Sequence, residues 1–172
     1  MSRALVVAIA LAASCRDHAP FVHYEPTPPE VVDVMLRLAD IKPNDVVYDL
    51  GCGDGRLVIA AVQRGARGVC VDIDALRIAE AKKNAIAAGV ADRIRFATED
   101  LFTTDLHDAT VVMLYLSQAV NVKLRPRLQQ QLARGARIVS HWHDMGDWPP
   151  TKTARVRADD WVRPIYLWII GS

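Results

Sequence analysis

Cysteine is scarce in this chain: Cys15, Cys52 and Cys70 are the only three among 172 residues. They form no CxxC pair and their number is odd, so the sequence predicts neither a disulfide framework nor a zinc ribbon. Charge of one sign is lacking too. The 21 Lys and Arg against 20 Asp and Glu leave a formal net charge of +1, without the overall basic field of many nucleic-acid binders. Aromatic residues make up only 6% of the chain, yet all four Trp (142, 148, 161 and 168) fall in its last third. No apolar run approaches the ~20 residues that span a bilayer as a helix. What is present is ordinary: 51% hydrophobic residues exclude wholesale disorder, and the length suits one domain.

The first residues stand apart from the rest. Ala4 to Ala13 form an unbroken apolar run after Arg3, the length of a signal-peptide core. Ala12-Ala13-Ser14-Cys15 is similar to a bacterial lipoprotein processing site, with Cys15 as the lipidated residue. A lipoprotein leader, a plain secretory leader and an uncleaved hydrophobic tail stay open. Residues 1–18 are therefore expected to be a leader or membrane anchor, and 19–172 a single domain.

From Pro20 the chain alternates. The prolines at 26, 28 and 29 keep their surroundings extended. A helical stripe follows in Val31, Val34, Met35 and Leu38, with Pro29 at its start. Strands are predicted at 46–49, 68–72, 94–98, 110–116, 136–141, 153–157 and 165–170. Helices are predicted at 56–64, at 75–88 with Asp74 as N-cap and Gly89 just beyond the end, and at 118–132 with an interruption near Pro126. Strands alternating with helices give a parallel sheet covered on both faces. Ligands on such sheets bind beyond the carboxyl ends of the strands.

The chemistry gathers there. Asp49-Leu50-Gly51-Cys52-Gly53-Asp54-Gly55 closes the first strand and opens a helix. Gly51, Gly53 and Gly55 permit a tight turn and a close ligand approach, and the helix end offers free N–H groups. Beside Asp49 and Asp54 a phosphate is disfavoured and a zwitterion fits better. Asp72 ends the second strand, where an acid accepts from ribose hydroxyls. Ile73 can cover an adenine face. After the third strand, Glu99-Asp100-Leu101 can meet its exocyclic amine. An amino acid, a ribose and an adenine along one sheet edge describe S-adenosyl-L-methionine.

These motifs are similar to the class I S-adenosylmethionine-dependent methyltransferases. Tyr24-Glu25-Pro26-Thr27-Pro28, Val47 to Arg56, Asp108 to Val112, Leu124 to Leu128 and Arg137 to His141 resemble, more closely, the seven-strand protein lysine methyltransferases. That family includes an archaeal broad-specificity enzyme and the ATP synthase c-subunit lysine methyltransferase. The resemblance implies a Rossmann-like α/β fold: a seven-stranded, mostly parallel sheet with an antiparallel last strand and helices on both faces. It implies methyl transfer from S-adenosylmethionine to the side-chain amine of protein lysines, with no metal and no nucleic acid. Membrane-associated relatives and the cofactor requirement favour the cytoplasmic face of a membrane, whereas the leader ending at Cys15 suggests lipoprotein-type export. Glu25 departs from the family, standing where an aliphatic residue is usual.

Methyl transfer to an amine needs alignment and a neutral nucleophile, and aromatic faces can hold the cationic acceptor. Tyr115, at the end of the fourth strand, is the candidate for positioning the amine. Tyr24, His141 and Trp142 are further candidates for the acceptor side, and Tyr24 and Thr27 are also expected to form a flap over the cofactor, with the Thr27 hydroxyl reaching its methionine end. Trp148, Trp161 and Trp168 read as packing, Cys70 as a small core residue, and Arg125, Arg127, Arg134 and Arg137 as a solvated helix face.

Overall fold

The computed structural model describes residues 24–172. The leader at 1–18, with Cys15, lies outside the described residues. Among them, no helix is long and apolar enough to cross a membrane.

Helix α1 (Pro29–Leu38) begins at its proline, whose missing N–H costs nothing at a helix start. Strand β1 (Val46–Leu50) is buried along its whole length, as a central strand covered on both faces must be. There follow α2 (Arg56–Gln63), β2 (Arg67–Asp72), α3 (Ala75–Ala87), β3 (Ile94–Thr98), β4 (Val111–Leu114), α4 (Gln118–Gln131), β5 (Arg137–His141), β6 (Lys152–Ala158) and β7 (Trp161–Ile169). The Asp74 carboxylate caps α3 by accepting from the Leu76 amide at 2.8 Å.

The strands form one sheet in the order β3-β2-β1-β4-β5-β7-β6. Strands β1 to β5 are parallel, and β7 runs antiparallel to both β5 and β6. Alternate residues of β1 serve opposite faces. Val46, Tyr48 and Leu50 join Leu124 and Leu128 of α4. Val47 joins Val31 and Met35 of α1 and Leu57 of α2. The order reverses between β1 and β4, which places the switch point at their carboxyl ends.

Several expectations are corrected. Helix α4 runs through Pro126 unbroken. Pro126 is exposed and so is Val122, whose carbonyl loses its helical partner, so water can satisfy it. Strand β4 stops at Leu114, which puts Tyr115 in the turn before α4. Strand β7 starts four residues earlier than expected, at Trp161, and carries Pro164 within it. Arg137 lies on β5, where its guanidinium donates to the carbonyls of Ala39 and Asp40 and pairs with Asp45. Arg125 donates to the Met145 carbonyl and pairs with Asp147, and Arg127 donates to the Thr104 carbonyl. Three of the four arginines read as a solvated face are thus structural fasteners.

Cys52 and Cys70 form a disulfide, against the expectation from cysteine number and spacing. They are 18 residues apart in sequence, but their Cα atoms lie 5.4 Å apart. The glycine loop folds back on β2, with the Gly51 and Cys52 amides both donating to the Val71 carbonyl. Adjacency within the sheet, invisible to spacing rules, brings the two thiols together.

Candidate active site

The carboxyl ends of the parallel strands carry two neighbouring groups of residues. The first is the glycine loop. Gly51, Gly53 and Gly55 have φ of 78°, 54° and 80°, the left-handed region that side chains other than glycine rarely enter. A Cβ on Gly53 would fall 2.3 Å from Cε2 of Tyr24, and one on Gly55 would fall 2.9 Å from Cβ of Ala81. The Arg56 guanidinium pairs with Asp54 and donates to the Thr27 carbonyl at 2.9 Å, which ties the leading segment to the loop. Asn84 of α3 donates to the Asp54 carbonyl.

Three carboxylates surround this loop. Asp72 accepts from the Gly53 amide with Oδ2 and from the Asp74 amide with Oδ1, both at 3.0 Å. Asp54 is held below the usual carboxylate range: burial opposes this, and its bonds with Arg56 outweigh burial. Asp49, only 2% exposed, has its Oδ2 buried without a partner. Its pKa is pushed up to about 7, first by burial and then by Asp54 and Asp72. An orphaned buried carboxylate oxygen among two further acids is a place for a cationic group.

Along the edge from Asp72, Ile73 and Leu76 are exposed. Glu99 follows β3, pairs with Arg95 at 3.5 Å and donates its amide to the Asp72 carbonyl. The Asp100 carboxylate accepts from the Phe102 amide at 2.8 Å, and Leu101 packs partly on the core. Thr27 is buried and lines a hollow of about 280 Å³ with Pro29, Val32, Asp54 and Arg56.

The second group lies beyond β4, β5 and the start of β7. Glu25, Tyr115, Trp142, His143, Trp161 and Arg163 line a cavity of about 310 Å³. Trp142 has φ 69°, a strained conformation for a bulky residue. Its amide donates to the Pro164 carbonyl. The loop behind it is fixed by buried Asn121, whose side chain donates to Ser140 Oγ and the His143 carbonyl. His141 is fully buried beneath Tyr115, with ring centroids 3.9 Å apart. Neither of its ring nitrogens has a partner. Burial, then Arg163 and His143, push its pKa down to about 3, so it is neutral.

The predicted residues thus divide. Asp49, the three glycines, Asp72, Ile73, Glu99, Asp100 and Leu101 lie at or just beyond the carboxyl ends of β1, β2 and β3, along one edge. Tyr115 and Trp142 meet at the cavity. Tyr24 does not line it; its ring lies against Gly53, with the Arg77 guanidinium 4.1 Å from its centroid. Sequence reasoning missed Glu25, Trp161 and Arg163. Trp161 read as packing, and its place at the start of a strand running against the others carried no motif. Among the described residues, no group of three or more His, Cys, Asp or Glu side chains is arranged to hold a metal ion. Asp144 accepts from the Gln118 side chain and the Gly146 amide.

The family model described as the ANTKMT methyltransferase domain matches residues 49–152. A protein-lysine N-methyltransferase of Saccharolobus islandicus is 38% identical over 90% of this chain and 98% of its own length. The adenine nucleotide translocase lysine N-methyltransferase of Mus musculus is 33% identical over 69% of this chain, which spans about half of that protein. A crystal structure from Salinibacter ruber, described as an RNA methyltransferase in complex with S-adenosyl-L-homocysteine, is similar at a TM-score of 0.81. It is 50% identical and covers 85% of this chain and 94% of its own.

Proposed function

The chain belongs to the ANTKMT methyltransferase domain family and is an S-adenosylmethionine-dependent methyltransferase, and from that premise we propose that its acceptor is the side-chain amine of lysine in a protein. When bound, the cofactor supplies a methyl group on a positively charged sulfur, open to attack by a nucleophile. The residues of this chain hold and align. Gly51, Gly53 and Gly55 admit the amino-acid end, and the Asp49 carboxylate takes up its ammonium. Thr27 stands at the methionine end. Asp72, which keeps free lone pairs beyond its two backbone bonds, receives the ribose hydroxyls. Ile73 and Leu101 flank the adenine, and Glu99 and Asp100 read its exocyclic amine.

The observation that carries the acceptor is the cavity walled by Tyr115, Trp142 and Trp161 beside Glu25. Aromatic faces and a carboxylate attract a cation, and a half-desolvated site favours the neutral amine that must attack. Tyr115 positions that amine, and His141 supports Tyr115 from below. Tyr24 closes over the glycine loop instead of touching the acceptor. The archaeal relative, whose length this chain nearly spans, supports the same reading.

A second reading, transfer to RNA, is favoured by the description of the Salinibacter ruber relative. Against it, Arg125, Arg127 and Arg137 are engaged by the protein's own carbonyls. One assay separates the two. The full chain is given methyl-labelled S-adenosylmethionine and source-cell lysate, and label is followed into protein, RNA, lipid and small molecules. Label on protein lysines supports the proposal; label confined to RNA overturns it.

For location, we propose the cytoplasmic face of a membrane, reached through the hydrophobic leader, because the cofactor is made in the cytoplasm. The Cys52–Cys70 disulfide favours an oxidising compartment instead. Lipid-precursor labelling of Cys15 in cells would favour export and overturn the cytoplasmic placement.

A further inference from the structure

The second cavity already holds a cation of its own. The Arg163 guanidinium sits 5.4 Å from the Trp142 ring centroid, and its Nη1 is 3.6 Å from Glu25. An aromatic face and a carboxylate are the two features a guest ammonium would use. Trp161 completes the corner: its ring meets Trp142 edge to face, with centroids 6.5 Å apart at 76°. Trp161 is 63% exposed although large and apolar.

The resident ion pair is unequal. The Arg163 side chain is nine-tenths buried, and a second acid, Asp159, holds its Nη2 at 3.2 Å. Its Nε is buried without a partner. The Glu25 side chain is about half exposed and comes from the leading segment ahead of α1. Glu25 also faces the Tyr115 hydroxyl, yet as the exposed partner it turns more readily than Arg163. When Glu25 turns away, Asp159 still balances the guanidinium.

We propose that Glu25 is the specificity-determining residue of the acceptor site. It exchanges its partner Arg163 for the ammonium of the incoming acceptor, which lies in the corner of Trp142 and Trp161. The acceptor class this selects is a primary alkylammonium on an apolar stem. The stem packs on the exposed Trp161 face and the charge reaches Glu25. A neutral acceptor of equal size would leave the Glu25–Arg163 pair in place and gain nothing from it. Before attack the ammonium passes one proton to the half-exposed Glu25 carboxylate, which releases it to water; Arg163, standing beside the guest as a fixed positive charge, favours that loss. This inference rests on the lysine reading and names the residue that enforces it.

The test uses n-butylammonium as the lysine side-chain probe and n-butanol as its neutral counterpart. Binding to the full chain, with S-adenosyl-L-homocysteine present, is followed by tryptophan emission. Binding of n-butylammonium at least tenfold tighter than n-butanol is expected, with the preference lost in Glu25→Gln. In turnover with a lysine acceptor, Glu25→Gln should raise KM at least tenfold with a smaller change in kcat, and Glu25→Asp should recover part of it. Cofactor affinity, measured separately, should stay at the wild-type value and verifies the fold of each variant. Trp161→Ala, at an exposed position, should weaken both probes together. Equal binding of the two probes, or wild-type KM in Glu25→Gln while lysines are still labelled, overturns the role of Glu25 and leaves the lysine reading standing. Label confined to RNA overturns both.

Discussion

Asp45 precedes the buried strand β1 and Asp49, four residues on, lies one residue from its end; the two are oppositely satisfied. Asp45 accepts from the Lys42 amide and Thr110 Oγ and pairs with Arg137. Burial would raise its pKa, and those bonds outweigh burial and lower it. Asp49 keeps an orphaned oxygen and is pushed up to about 7. One acid bolts the amino edge of the sheet, and the other waits at the carboxyl edge.

Asp49 therefore sets a pH dependence. Its folded pKa lies above the ordinary carboxylate value, so the folded chain keeps a proton that the unfolded chain releases. The stabilisation is complete below about pH 4 and is lost as pH rises through about 7. At ~1.4 kcal/mol per pKa unit it amounts to at most about 4 kcal/mol. Asp49→Asn removes the titration. In urea unfolding of the cofactor-free protein, the variant should gain on the wild type from about pH 4 to about pH 7 and level off above it. Parallel curves would show that Asp49 ionises without penalty. The same variant should bind S-adenosylmethionine at least tenfold more weakly at pH 8.

His141 works with the opposite sign. Its folded pKa is depressed to about 3, so the unfolded chain binds the proton first. That stability is present above about pH 6.5 and is lost as pH falls towards 3. His141→Phe keeps an aromatic ring under Tyr115 and removes two unpartnered nitrogens, each costing ~1–3 kcal/mol when buried. Its acid-unfolding midpoint should move to lower pH by circular dichroism. An unchanged midpoint would mean that His141 finds partners for its nitrogens in solution.

The glycine loop and Asp72 should separate binding from folding. Asp72→Ala releases the Gly53 and Asp74 amides and is expected to abolish cofactor binding by calorimetry. Gly53→Ala meets both a φ of 54° and the Tyr24 ring. It should displace Tyr24 and weaken the cofactor at least tenfold, at ~1–2 kcal/mol of stability. Wild-type affinity in Asp72→Ala would remove Asp72 from the site.

The disulfide gives a fourth expectation. Closing a loop of 18 residues stabilises by about 3 kcal/mol through the unfolded chain. Reduction, or Cys52→Ser with Cys70→Ser, should lower the urea midpoint and steepen the slope, because the released unfolded chain exposes more surface. No shift would mean that the bridge is absent from the purified protein.

The cofactor half was legible because its signals are local. Asp49 to Gly55 and Asp74 before α3 are short patterns whose backbone demands are met within a few residues. The acceptor half was legible only in part. Tyr115 and Trp142 stand after strands the sequence marks, but Glu25, Trp161 and Arg163 carry no motif, and the pairing of β7 with β5, His141 opposite Ile165, is what brings Trp161 and Arg163 to Trp142. The disulfide escaped for the same reason: its thiols are neighbours across the sheet. Pro126 misled in the other direction, since a local rule gave way to the packing of Leu124 and Leu128 on the core.

Because β7 runs against its neighbours, its first residues emerge at the edge where the other strands finish. The wall bearing Trp161 and Arg163 is thus encoded far along the chain from the loops that bear Asp49 and Asp72. Substitutions around the β6–β7 hairpin can accumulate without disturbing the donor pocket. The hairpin supplies one wall of the acceptor cavity and the leading segment with Glu25 the other, so the acceptor side can be reshaped from two short stretches of chain while the loops that face the donor stay as they are.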